Sequence, residues 1–153
     1  MGLITQQIAK HLRDIHFGGN WTTSCLRDQV KELTWEQATQ KVQSFNTIAT
    51  LVYHAHYYVH EVIPVLNGAP LTASDKLSFD HPPITCQSDW DSFLNNVWLD
   101  AETFAGLIEQ LPDDCLHQPF TDEKYGTYYR NLAGIIEHMH YHLGQIVIIR
   151  KLL

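Results

Sequence analysis

Apolar residues recur every three or four positions along most of the chain, the spacing of an amphipathic helix. Ile4, Ile8, Leu12 and Ile15 predict a first helix from Leu3 to about Phe17, and Gly18-Gly19-Asn20 supplies its stop signal. Residues 20–33 are mixed. Trp21 and Leu26 are expected to pack inward, and Asp28 to Leu33 to form a short helical turn. Thr34-Trp35-Glu36-Gln37 fits a capping box, with Thr34 as N-cap and Gln37 three residues on. From there Ala38, Val42, Phe45, Ile48, Ala49, Val52 and Ala55 predict a second, long helix to about Val65, ended by Asn67-Gly68.

Residues 68–87 carry three Pro and no sustained periodicity, so they read as a loop. A loop this long in a compact domain is usually functional, a lid or disordered; Leu77, Phe79 and Ile84 predict that this one is ordered on the body. Ser88 is the expected N-cap of a third helix, with Asp89 and Asp91 favourable in its first turn. Trp90, Phe93, Leu94, Val97, Ala101, Phe104, Ile108 and Leu111 carry that helix to Pro112. The last helix runs from about Tyr129 to the end, with Leu132, Ile135, Ile136, Met139, Leu143, Ile146 and Ile149 apolar. No strand-like alternation persists, although Gln118–Thr121 could be extended. Four amphipathic stripes predict an all-α chain: one domain over 1–153, a four-helix bundle with a long connection between the second and third helices.

Composition narrows the function. The chain has 153 residues, 44% of them hydrophobic, and a net charge of −7. That length and composition suit a single globular core. The longest basic run is Arg150-Lys151, so a phosphate-neutralising surface is not expected and nucleic acid is not an expected partner. No apolar stretch approaches the roughly 18 residues of a membrane span, and no signal-peptide core is read at the N-terminus. Cys25, Cys86 and Cys115 are odd in number and far apart, which reads as reduced thiols in a cytoplasm.

Histidine is the unusual residue: there are ten, as many as all Lys and Arg together. On the last helix His138 and His142 lie one turn apart on one face, near Ile135 and Ile149, while His140 points nearly the other way. The i, i+4 pair is the spacing of helical metal ligands, but Met139 follows His138 where a metalloprotease helix has its Glu base. On the second helix His54 shares a face with Leu51, Tyr58 and Glu61, whereas His56 and His60 form a second i, i+4 pair on another face. Either face could point inward from spacing alone. Ile48, Val52 and Ala55 flank His54 more tightly, so His54 is expected inside and His56 and His60 on the surface.

The stretch LVYHAHYYV, the loop segment SFDHPPI and the ending GIIEHMHYHLGQIVIIRKLL resemble the DinB-like (YfiT-like) family over nearly the whole chain. The resemblance implies a helical bundle in which one histidine of the second helix and two of the last hold a divalent metal. Here the matching positions are His54, His138 and His142. It also implies zinc or nickel as cofactor, a homodimer, and a small-molecule substrate with a low-molecular-weight thiol as co-substrate. The implied activity is that of a metal-dependent thiol S-transferase or a hydrolase. A three-histidine site leaves coordination positions open, as catalytic metal sites do. Glu61, Tyr58 and Gln145 are the candidates for catalytic groups around it. Gln145 could equally bond a ligand histidine. The alternative is a non-enzymatic, metal-stabilised bundle that binds a small molecule or a partner chain.

Overall fold

The computed structural model describes residues 2–153. It is helical, with six α-helices: α1 (Leu3–Phe17), α2 (Leu26–Val30), α3 (Trp35–Thr39), α4 (Ile48–Leu66), α5 (Gln87–Gln110) and α6 (Tyr128–Leu152). Four of them are long. Among the described residues there is no strand, and the stretch expected to be extended contributes one isolated bridge, Pro119 to Thr127. Among those residues no helix is long and apolar enough to cross a membrane.

Helix α1 buries Ile8, Ala9, Leu12 and Ile15 and stops at Gly18, whose φ of 112° suits only glycine without strain. Its N-terminus is capped from far along the chain. Asp113 accepts hydrogen bonds from the backbone N–H of Ile4 (3.1 Å) and Thr5 (3.0 Å), which satisfies donors that the helix itself leaves open. Those amides also hold the Asp113 carboxyl below its ordinary pKa.

The helix expected from Thr34 to Val65 is two helices. The Thr34–Gln37 capping box forms, but it caps only the five-residue α3. The chain then leaves the helical region at Gln40 and passes through Gln43 at φ 51° before Thr47 caps α4 by accepting from the Thr50 N–H. Val42 and Phe45 continue the helical spacing by coincidence: Phe45 is 44% exposed. The third long helix is capped at Cys86 rather than Ser88, and Asp89 turns back to accept from Thr85 N–H and Oγ1 (both 2.8 Å). Leu26 packs inward as expected, but Trp21 is 99% exposed, because no helix passes over it.

Each long helix packs on two of the other three: α1 on α5 and α6, and α4 on the same two. Trp90, Phe104, Leu12, Ile15, Ile48, Leu132, Met139 and Ile146 fill the space between them. The consequence for function lies in α4. Being packed on α5 at one side and α6 at the other, it buries Leu51, His54, Ala55, His56 and Val59, so both of its histidine faces turn inward.

Candidate metal centre

The connection after α4 supplies the first support for a site. Residues 67–86 carry a short 3-10 turn, Asp75–Leu77, and Ser78 immediately after it is buried. Ser78 Oγ donates to the Asp75 carbonyl (2.7 Å), so its remaining lone pairs are acceptors, and one of them takes the Nδ1–H of His54 (2.9 Å). Phe79 stacks on the His54 ring, with centroids 3.8 Å apart and planes 12° apart. Phe79 and Ser78 therefore hold the imidazole at a fixed angle, while Leu77, expected to pack, faces solvent.

Helix α6 brings the other two rings. His138 and His142 sit one turn apart, and their Nε2 atoms are 3.0 Å from each other; His138 Nε2 is 3.1 Å from His54 Nε2. All three donor atoms lie within 4.8 Å of one another, and among the described residues this group has three members. His54 and His142 are buried, and His138 is half-buried. The Nδ1–H of His142 donates to Gln145 Oε1 at 2.7 Å. A donated Nδ1 proton on a neutral imidazole leaves Nε2 as a bare acceptor. Two lone pairs, from His54 and His142, thus converge on the Nε2 of His138.

This donor set fits a divalent transition metal. Metal–nitrogen bonds of about 2.0–2.1 Å place ligand atoms about 3.0 Å apart at a right angle and about 3.4 Å apart at a tetrahedral angle. The observed 3.0 and 3.1 Å separations are those of the right-angle arrangement. Burial lowers the pKa of all three imidazoles, His138 to about 4, with the neighbouring rings adding repulsion at His138. The rings are neutral at physiological pH, the state in which imidazole binds metal.

A cleft of about 340 Å³ opens beside His138, lined by Tyr58, Arg130, Asn131, Gly134, Ile135 and Glu137. Tyr58 stands edge-on to His54 and His138 and donates its hydroxyl to Asp75 (2.7 Å). Burial and that bond push its pKa to about 12, so Tyr58 is a protonated wall and not a base. Glu61 is two turns beyond His54, about 10 Å along the helix, and lines a different pocket with His56, His60 and Asp100. It does not approach the triad. Cys25 is buried and its thiol pKa is raised by burial, which disfavours a nucleophilic thiolate. No protein-family model, curated protein or solved structure matches the chain. The functional reading is therefore carried by the site.

Sequence reasoning missed Ser78 as a partner of His54, because contact between a loop and a helix 24 residues earlier leaves no spacing signal. It also placed His56 on the surface, whereas the ring is 6% exposed beneath α5. Gln145 was visible as a neighbour one turn after His142, and it orients that ring. Partners of this kind typically contribute about 10–100-fold to metal affinity. Gln145→Leu is accordingly expected to weaken zinc binding by about that factor, measured by competition with a chelator. Unchanged affinity would leave Gln145 with a packing role only.

Proposed function

We propose that the chain is a metal-dependent enzyme built as a DinB-like four-helix bundle, with one divalent transition-metal ion held by Nε2 of His54, His138 and His142. The observation that carries this reading is the convergence of three imidazole Nε2 atoms, with His138 Nε2 at 3.1 Å from that of His54 and 3.0 Å from that of His142. Ser78 and Gln145 take the Nδ1 protons of His54 and His142, so both rings aim lone pairs at His138. A proton on His138 Nε2 can satisfy those lone pairs only by being shared, whereas a cation engages all three nitrogens at once.

The mutual packing of α1, α4, α5 and α6 supports the bundle reading, and the resemblance of its histidine segments favours zinc or nickel. Bound here, the ion supplies Lewis acidity that activates a low-molecular-weight thiol, or water, toward a small electrophile. The chain itself contributes the cleft. Tyr58 walls one side, Ile135 offers an apolar surface, and Arg130, Asn131 and Glu137 give polar contacts. Thiol S-transfer is our preferred reaction, and hydrolysis would use the same site.

Elemental analysis of untagged protein tests the metal. About one ion per chain is expected at this site in the wild type, and that ion should be absent from His138→Ala and His142→Ala. Equal metal in wild type and both variants after reconstitution would remove the basis of the reading. Conjugation of thiols to model electrophiles by the loaded protein then separates transferase from hydrolase chemistry.

A further inference from the structure

The opposite side of α4 carries a second convergence of ligand atoms. His56 Nε2–H donates to Asp100 Oδ2 at 3.0 Å, and His60 Nδ1–H donates to the same oxygen at 2.8 Å. The three atoms lie within 4.8 Å of one another. His56 and His60 are one helical turn apart on α4, and Asp100 comes from α5, so two packed helices fix the group. It faces a pocket of about 510 Å³ lined also by Tyr53, Tyr57, Glu61, Phe93 and Asn96.

We propose that His56, His60 and Asp100 form a second site for a divalent transition-metal ion, on the far side of α4 from the histidine triad. Two imidazoles and one carboxylate are a recurrent ligand set for such ions with positions left open. The charge suits a cation: two neutral rings and a carboxylate sum to −1, with Glu61 on the rim of the same pocket. The spacing suits it as well, since 2.8 and 3.0 Å are close to the separation of about 3.0 Å expected for ligands at a right angle.

Metal binding sets the His56 tautomer. Nδ1 of His56 is buried with no hydrogen-bond partner, and the Asp100 bond holds the proton on Nε2. Moving that proton to Nδ1 frees Nε2 for a metal and leaves a buried N–H without an acceptor, a cost that the metal–nitrogen bond must exceed. His60 is 64% exposed in its side chain and can carry its proton on the solvent side. His56 is buried and anchors the set from inside.

The test is zinc stoichiometry by equilibrium dialysis and elemental analysis, with helicity and thermal unfolding checked for each variant. Wild type is expected to bind about two ions per chain, one at each cluster. Asp100→Asn and His60→Ala should each lose one ion and keep the other. His60→Ala removes an exposed side chain, so it serves where Asp100→Asn disturbs the packing. His117→Ala, an exposed histidine elsewhere, should lose none. The same count in wild type, Asp100→Asn and His60→Ala overturns the second site. So does a loss that His117→Ala reproduces, because that marks scattered surface binding. The outcome separates cleanly from the triad: an ion kept in His142→Ala but lost in His60→Ala supports this site even if the triad reading fails.

Discussion

Zinc at a thousandfold excess over its dissociation constant is expected to raise the unfolding free energy of the wild type by about 4 kcal/mol relative to His138→Ala. The gain follows from linkage: an ion that binds the folded triad and not the unfolded chain stabilises by RT ln(1 + [L]/Kd). His54 and His138 lie 84 residues apart in the chain, so the unfolded state cannot present the same site. Unfolded histidines bind zinc too, and so does any second site, which is why the quantity predicted is the difference between the two proteins. Urea unfolding with and without zinc measures it. Parallel gains in wild type and His138→Ala would refute a folded-state triad site. Burial also lowers the pKa of all three ligand imidazoles, so protons compete with the metal less strongly here than at exposed histidines.

Much of that triad is legible in the amino-acid sequence. His138 and His142 sit one turn apart, and a helix converts that spacing directly into proximity. The pairing of α4 with α6 is harder to read, because periodicity finds faces but not neighbours. It misleads where one helix has two buried faces. The expectation of a single inward face on α4 selects His54 and sends His56 to the surface; packing on both α5 and α6 buries both. The break at residues 40–47 is hidden for a related reason. Val42 and Phe45 keep helical spacing across it, while the local signal at Thr47, a cap onto Thr50, looks like any other Thr in a polar stretch. Ser78 and Asp100 are not legible at all as site residues. Each acts through a tertiary contact, and neither has a sequence neighbour that announces it.

A second large effect is acid destabilisation through His16. This ring is fully buried, its Nδ1–H donates to the Leu12 carbonyl at 2.7 Å, and its Nε2 has no partner. Burial drives its pKa from 6.5 down to about 4, with the Leu12 bond opposing that shift and His56 adding to it. A folded pKa below the unfolded one means that the unfolded state takes up the proton first. The associated stability is complete above pH 6.5 and is lost as pH falls toward 4. The full loss is about 3 kcal/mol, of which roughly 2 kcal/mol is gone by about pH 5. His16→Leu should therefore show a shallower fall in stability between about pH 7 and pH 4 than the wild type, by that amount. His138 titrates in both proteins and cancels in the difference, whereas His56 is coupled to His16, so the difference reports the buried His16 ring together with its coupling to His56. Identical pH profiles would mean that the ring is hydrated or reorients when it is protonated.

The cap on α1 has a consequence for the order of events during synthesis. The N–H groups of Ile4 and Thr5 wait for a carboxylate 109 and 108 residues downstream, and α5, which α1 packs against, ends only three residues before that carboxylate. The first helix can coil early, but apart from the short α2 it has no partner helix to dock on until most of the polypeptide has left the ribosome. Closing so long a loop favours slow, late consolidation over stepwise growth from the N-terminus. A nascent chain released before Asp113 emerges would expose the apolar stripe of α1, and with it a surface for chaperones.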